Sequence, residues 1–145
     1  MATGGSPRPL VLASASLIAV DAANLLDECD RLADRLRSLS DVRLARELSP
    51  GVTAAAAGLV VAQRLADLGA GVELREGASP PLVRTVPQVA DFAVGDVVAV
   101  TGHDLVAAAA LLSPQTTVWL DAARADLAVA LADGTAACRA LRLAL

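Results

Sequence analysis

The sequence predicts a single α/β domain in which about five mostly parallel strands lie between two layers of helices. Short apolar runs alternate with longer helical segments along the chain, and several of these runs end at a glycine or an aspartate before the next helix begins. Alternation of this kind is typical of a parallel sheet that carries helices on both faces. We therefore expect a three-layer sandwich of the flavodoxin-like or Rossmann-like type at residues 10–145, behind a flexible tail at residues 1–9.

The composition indicates a folded core made of small aliphatic side chains. Hydrophobic residues make up 55% of the 145 residues and charged residues 19%, a balance that excludes a disordered chain. Only Phe92 and Trp119 are aromatic, so Ala, Leu and Val must fill the core. Side chains this small allow helices to approach a sheet, or each other, closely.

Several function classes are excluded or disfavoured by composition. All twelve basic residues are Arg, and the chain has neither Lys nor Tyr, which excludes a Walker A loop and a pyridoxal phosphate Schiff base. A net charge of −4 with scattered arginines disfavours nucleic-acid binding. Cys29 and Cys138 lack metal-site spacing, so we expect two buried free thiols in a cytoplasmic protein with no metal and no cofactor.

The apolar run Leu10–Val20 is too short to span a membrane, and we expect no membrane association. A signal peptide in residues 1–22 remains an open alternative.

The first clear element is a helix over Ile18–Leu39. Its apolar positions step by four and three residues in alternation, which places them on one face: Ile18, Ala22, Leu25, Cys29, Leu32, Leu36 and Leu39. We expect this face to lie on the core of the chain, and a dimerising coiled-coil seam is the alternative.

The remaining elements complete the predicted alternation. Val52–Leu68 predicts a largely buried helix that Gly69 ends, and the strand Val72–Arg75 follows it. Val97–Val100 predicts a central buried strand that leads into a helix at Asp104–Leu112, because four consecutive apolar residues end at a Thr-Gly pair. Thr116–Leu120 is another predicted strand, Leu10–Ala13 is a strand or the front of the first helix, and Asp41–Leu48 is an edge strand or a continuation of that helix. The other predicted helices are a short one at Thr85–Val94 and one from Asp121 to about Ala132. The chain ends with a helix at Thr135–Leu145 or with a strand at Ala140–Leu145.

Parallel strands would bring polar residues together at one edge of the sheet, where ligands bind in open α/β folds. The expected ligand-binding residues are Ser14, Ser16, Thr101, Gly102, His103, Asp104, Asp121 and Arg124. His103 is the only histidine and is the candidate general base, with Asp121 as its candidate partner. In the plainer interpretation, Asp104 and Asp121 only cap helices and Trp119 only packs in the core.

No complete catalytic constellation is visible in the sequence. The first expectation is therefore a non-enzymatic binding or regulatory module that acts through protein–protein association, as a homo-oligomer or with a protein partner. The alternative is a small-molecule or nucleotide-binding enzyme with its site around Thr101–Asp104 and Asp121–Arg124.

Overall fold

The computed structural model describes the backbone of residues 8–145 and the side chains of residues 18–145. Helix α1 spans Arg8–Ser38 and the one-turn helix α2 spans Asp41–Leu44. Strands β1 (Glu47–Ser49) and β2 (Val52–Thr53) lead into helix α3 (Ala54–Glu73). A 3-10 helix (Asp91–Ala93) precedes helix α4 (Val94–Ala109), which is followed by strands β3 (Thr117–Leu120) and β4 (Ala123–Asp126) and by helix α5 (Leu127–Ala144).

Four long helices form the core as a bundle. Helix α1 packs on α4 and α5, and α3 packs on the same two helices from the other side. Residues in contact give the directions: Cys29 of α1 meets Cys138 of α5, Gly95 of α4 lies against Arg37 near the end of α1, and Gly102 lies against Cys29. Helices α1 and α5 therefore run parallel to each other, and α4 runs antiparallel to both.

Helix α3 runs parallel to α4, because Gly58 lies against Val94 and Gly69 lies against Leu105. Two consecutive long helices that are parallel need a connection that returns along the bundle. The segment 74–90 provides it, passing back along α3 to the 3-10 helix.

The predicted α/β fold is wrong. The strands described in residues 8–145 form two antiparallel two-stranded sheets, β1–β2 and β3–β4, and there is no parallel sheet among them. The predicted flavodoxin-like or Rossmann-like arrangement is therefore wrong as well. The predicted central strand Val97–Val100 lies inside α4, because the buried positions of this segment follow a helical spacing through Val94, Val98, Gly102, Leu105 and Ala109.

Two other predicted strands are also helical. Leu10–Ala13 lies within α1, and Val72–Arg75 covers the end of α3 and the turn after it. Asp121 begins a hairpin turn instead of a helix. Thr116–Leu120 was expected in a parallel sheet, and its strand is confirmed at Thr117–Leu120 in an antiparallel hairpin. Of the predicted tail, residues 1–7 lie outside the described part of the chain.

The apolar face predicted for α1 is confirmed as part of the core. Leu25, Cys29 and Leu32 are completely buried, and Ile18, Leu36 and Leu39 are buried as well. This face is therefore occupied by α4 and α5 of the same chain.

One ion-pair cluster ties α1 to α5. The Glu28 carboxylate is 5% exposed and accepts hydrogen bonds from Arg139 Nε (3.0 Å) and Arg142 Nε (2.8 Å). The hydrogen bond from Arg142, opposed by desolvation and helped by Arg139, lowers the pKa of Glu28. Glu28 is therefore ionised at neutral pH and fixes the register of the two parallel helices.

Two segments, Ala54–Glu73 and Asp91–Ala109, are long and apolar enough to cross a membrane by length and composition. Both supply core residues of the bundle, and core helices of soluble proteins meet the same criterion, so this is weak evidence of a membrane span.

Candidate ligand site at the hairpin

The β3–β4 hairpin lies against the C-terminal half of α3 because α3 has a glycine at the contact. A Cβ atom at Gly71 would lie 2.0 Å from the carbonyl oxygen of Trp119, far closer than any real Cβ contact. With no side chain at Gly71, the backbone of β3 reaches the helix surface. Val118 and Trp119 are buried there.

The hairpin turn holds Asp121 above α3. Leu120 pairs with Ala123, so Asp121 and Ala122 form the turn. Asp121 has a φ of 57°, in the left-handed region that Asp tolerates better than most residues. Its carboxylate accepts hydrogen bonds from both terminal nitrogens of Arg64, at 2.5 and 3.3 Å.

Arg64 also reaches α5, where its Nε and Nη2 bind the two carboxylate oxygens of Asp133 at 2.9 Å each. The hydrogen bonds that Arg64 donates to Asp133 and Asp121 raise the pKa of Arg64, and the bond to Asp121 lowers the pKa of Asp121. Both groups are therefore charged at neutral pH, and Arg64 joins α3, α5 and the hairpin.

Trp119 is the centre of the hairpin contact. Its side chain is 8% exposed, and the guanidinium carbon of Arg124 stacks 3.7 Å from the ring centroid. Arg124 also donates hydrogen bonds to the carbonyl oxygens of Arg75 and Gly77, which ties the hairpin to the end of α3. The indole N–H of Trp119 is buried and has no acceptor among the side chains and backbone that the structure describes.

A pocket of about 290 Å³ opens beside Trp119. Two carboxylates and eight mostly apolar positions line it: Asp67, Ala70, Gly71, Pro80, Pro81, Leu82, Val83, Trp119, Asp121 and Ala122. We call this the Trp119 pocket. A mostly apolar lining with a few polar groups is typical of small-molecule sites, and the volume is at the low end of their range.

The wall formed by Pro80–Val83 is held in place by Gln63 of α3. The side-chain amide nitrogen of Gln63 donates to the carbonyl oxygen of Arg84 at 2.9 Å, and its amide oxygen accepts from the backbone N–H of Val86 at 2.9 Å. The same nitrogen donates to the carboxylate of Asp67 at 2.8 Å. One side chain thus orients both a wall and a carboxylate of the pocket.

The charge around the pocket is negative on balance. Arg64 pairs with Asp121 and Asp133, and Arg124 adds a second guanidinium at the hairpin. The third carboxylate, that of Asp67, has a neutral partner in Gln63. A ligand in the pocket therefore meets one carboxylate whose charge is not matched by a guanidinium.

The structure places the predicted site residues in three separate parts of the fold. Asp121 and Arg124 belong to the hairpin. Thr101, Gly102, His103 and Asp104 lie in the middle of α4, where Thr101 Oγ1 donates to the carbonyl oxygen of Val97 at 2.8 Å and Gly102 packs on Cys29. The backbone of Ser14 and Ser16 belongs to α1, and their side chains lie outside the described part of the structure.

The expected contact between His103 and Asp121 is not formed. His103 Nε2 lies 2.9 Å from the Oδ1 atom of Asp30, with both side chains about half exposed, while Asp121 is bonded to Arg64. Among the described residues, no group of three or more His, Cys, Asp or Glu side chains could hold a metal ion.

Sequence reasoning missed Asp67, Gly71 and the wall Pro80–Val83. One signal was present: Gln63, Arg64 and Asp67 are the only strongly polar residues between Ala54 and Leu68. Three polar residues within two turns of a buried helix mark the place where something other than the core contacts it.

Comparisons with protein-family models, with curated proteins and with solved structures found no match to this chain.

Proposed function

We propose that this protein is a non-enzymatic binding module whose Trp119 pocket takes a small organic cation that also carries a hydrogen-bond acceptor. The observation that carries the proposal is that Trp119, a residue that lines the mostly apolar pocket, has a buried indole N–H with no acceptor among the described residues. A buried donor without an acceptor costs about 1–3 kcal/mol, and a ligand carbonyl bound there would recover much of this.

The charge of the ligand follows from the two carboxylates. Asp121 is already bonded to Arg64, whereas Asp67 accepts only from a neutral amide. An ammonium group beside Asp67 would gain a charge-assisted hydrogen bond, and an anionic ligand would be repelled by this carboxylate. The apolar wall Pro80–Val83 suits an aliphatic or aromatic body.

Association through the face of α1 is not part of this proposal, because Leu25 and Leu32 are completely buried within the chain. A catalytic pair of His103 and Asp121 is not part of it either, because the two side chains bind different partners.

Titration with phenylalaninamide tests the proposal, since this probe has an ammonium group, a carbonyl acceptor and an apolar body. Trp119 is the only tryptophan, so its indole N–H resonance and its fluorescence report on the pocket alone. We expect both signals to change with phenylalaninamide and to stay unchanged with N-acetylphenylalanine, which has the same body and the opposite charge.

The variant Asp67→Asn should weaken binding of phenylalaninamide roughly tenfold, because it removes a charge-assisted hydrogen bond worth about 1.5 kcal/mol. Glu47→Gln removes the same charge on β1, and binding should be unaffected. Equal responses to the cation and the anion, or no response to either at millimolar concentration, would refute the proposed function.

A further inference from the structure

Cys29 of α1 and Cys138 of α5 are 109 residues apart in sequence, and their sulfur atoms lie 3.4 Å apart in the core. Both residues are completely buried. Gly102 of α4 closes the site on a third side, since a Cβ atom there would lie 2.5 Å from the Sγ atom of Cys29. The two thiols therefore face each other in an enclosed space.

The contact between the thiols is held in register from both sides. Glu28, which precedes Cys29, binds Arg139, which follows Cys138. One turn earlier on each helix, Leu25 packs on Gly134, where an added Cβ would lie 3.2 Å from the leucine side chain. The two sulfur atoms are thus kept opposite each other by an ion pair and by close packing.

We propose that Cys29 and Cys138 are a reversible oxidation site that forms a disulfide between α1 and α5 when the protein meets a peroxide. A disulfide needs the sulfur atoms about 2.05 Å apart. Side-chain rotation and a small shift of α5 toward α1 would have to close the remaining distance from 3.4 Å.

The two thiols have different roles in the reaction. The hydrogen bond with Cys138 and burial raise the pKa of Cys29, whereas the hydrogen bond from Cys29 lowers the pKa of Cys138. Cys138 is therefore the thiol that loses its proton more readily and attacks the peroxide, and Cys29 keeps its proton until the second step.

The reaction balances with hydrogen peroxide as the oxidant. The Cys138 sulfur forms a bond to one peroxide oxygen, the O–O bond breaks, and the hydroxide that leaves takes a proton to become water. Cys29 then attacks the Cys138 sulfenic acid, the S–S bond forms, the S–O bond breaks, and the Cys29 proton leaves with that hydroxyl as a second water. The two thiols lose two electrons, which the peroxide gains, and an external dithiol reverses the change.

Burial determines the rate of this reaction and favours its product. Peroxide must enter through a local opening of the bundle, so the first step is slow compared with an exposed thiol. The second step is fast because Cys29 already lies against Cys138. Disulfide formation is therefore faster than further oxidation of the Cys138 sulfenic acid to sulfinic acid.

Treatment of the full chain with hydrogen peroxide tests the proposal by intact mass. We expect a loss of two hydrogen atoms, no free thiol after unfolding, and a peptide that joins the segments around Cys29 and Cys138. The urea midpoint should rise, because the cross-link closes a long loop in the unfolded chain, and dithiothreitol should reverse both changes.

The variants Cys29→Ser and Cys138→Ser provide matched controls. In Cys29→Ser the attacking thiol has lost its partner, so Cys138 should gain oxygen atoms. Cys138→Ser should react with peroxide more slowly than the wild type and more slowly than Cys29→Ser. Oxygen added at Cys29 or Cys138 of the wild-type chain, disulfide-linked dimers on a non-reducing gel, or two unmodified thiols after prolonged treatment would each overturn the proposal, and the wild-type result stands even if a variant does not fold.

Discussion

The substitution Gly71→Ala should detach the β3–β4 hairpin from α3, and Gly69→Ala two residues earlier is its matched control. At Gly71 an added Cβ meets the carbonyl oxygen of Trp119 at 2.0 Å, so the backbone of β3 must move. At Gly69 the nearest atom is the Cα atom of Leu105 at 3.9 Å, an ordinary contact. The two variants therefore differ in one packing contact and share the same helix and the same chemistry.

The expected magnitudes have opposite signs. Replacing Gly by Ala inside a helix stabilises it by about 0.8–1 kcal/mol, which should appear in full for Gly69→Ala. For Gly71→Ala, overpacking costs about 1–3 kcal/mol, and loss of the Arg124–Trp119 contact costs roughly 0.5–1 kcal/mol more. The gain in helix propensity is common to both variants, so we expect their free energies of unfolding to differ by about 1.5–4 kcal/mol, or on the order of 3–16 °C in Tm for a chain of this size.

Urea unfolding followed by circular dichroism measures this difference, and Trp119 fluorescence locates it. Gly71→Ala should shift the emission of Trp119 to the red, because the indole becomes more exposed as the hairpin moves. Gly69→Ala should leave the emission unchanged. Equal stability of the two variants together with unchanged emission in Gly71→Ala would refute the docking of the hairpin on Gly71.

Three further predictions follow from the bundle. Glu28→Gln should lower the free energy of unfolding by about 2–4 kcal/mol at pH 7 in a urea titration, because a buried ion pair loses one partner. Its arginine partners lower the pKa of Glu28 in the folded state. The contribution of Glu28 to stability is therefore complete above the unfolded pKa of about 4.5 and is lost as the pH falls through the folded pKa. The free energies of unfolding of the wild type and Glu28→Gln should become equal in acid. Gln63→Ala should release the segment it holds and accelerate tryptic cleavage after Arg84, and an unchanged cleavage rate would contradict the role of this side chain. Leu25→Asp should abolish the helical circular dichroism signal, while Val20→Asp on the same helix, where the side chain is 55% exposed, should not; a folded Leu25→Asp variant would show that this face is free.

Helix α1 could be predicted from the sequence because its apolar stripe runs over three heptads without a glycine or proline. Helix α4 could not, because Val97–Val100 is a run of residues with high strand propensity. Tertiary packing overrides that propensity in the structure. Val98 is completely buried and Val100 is 60% exposed, whereas a strand of alternating faces would place these two side chains on the same face.

Only part of the candidate site could be predicted, because some of its residues are close in sequence and others are far apart. Asp121 and Arg124 are close in sequence, so any local structure keeps them near each other, and both do lie at the hairpin beside Trp119. Asp67 and Gly71 come from α3, and no local pattern links them to a hairpin about fifty residues later. The contact between α3 and the β3–β4 hairpin depends on the direction of α3 within the bundle. The predicted α/β fold has no such bundle, so it could not indicate this contact.

The glycines have different roles in the predicted α/β fold and in the observed helical bundle. In the α/β prediction Gly69, Gly95 and Gly102 end elements, since glycine commonly ends a helix. In the structure they lie within or at the start of helices, and an added Cβ at Gly95 would meet the carbonyl oxygen of Ala33 at 2.7 Å. The chain has only two aromatic residues, so its core side chains are too small to fill wide gaps between helices. The helices must therefore approach closely, and glycine at a helix contact permits that approach. The composition therefore favours close packing of the helices. Trp119, the buried one of the two aromatic residues, lies at the hairpin and lines the pocket.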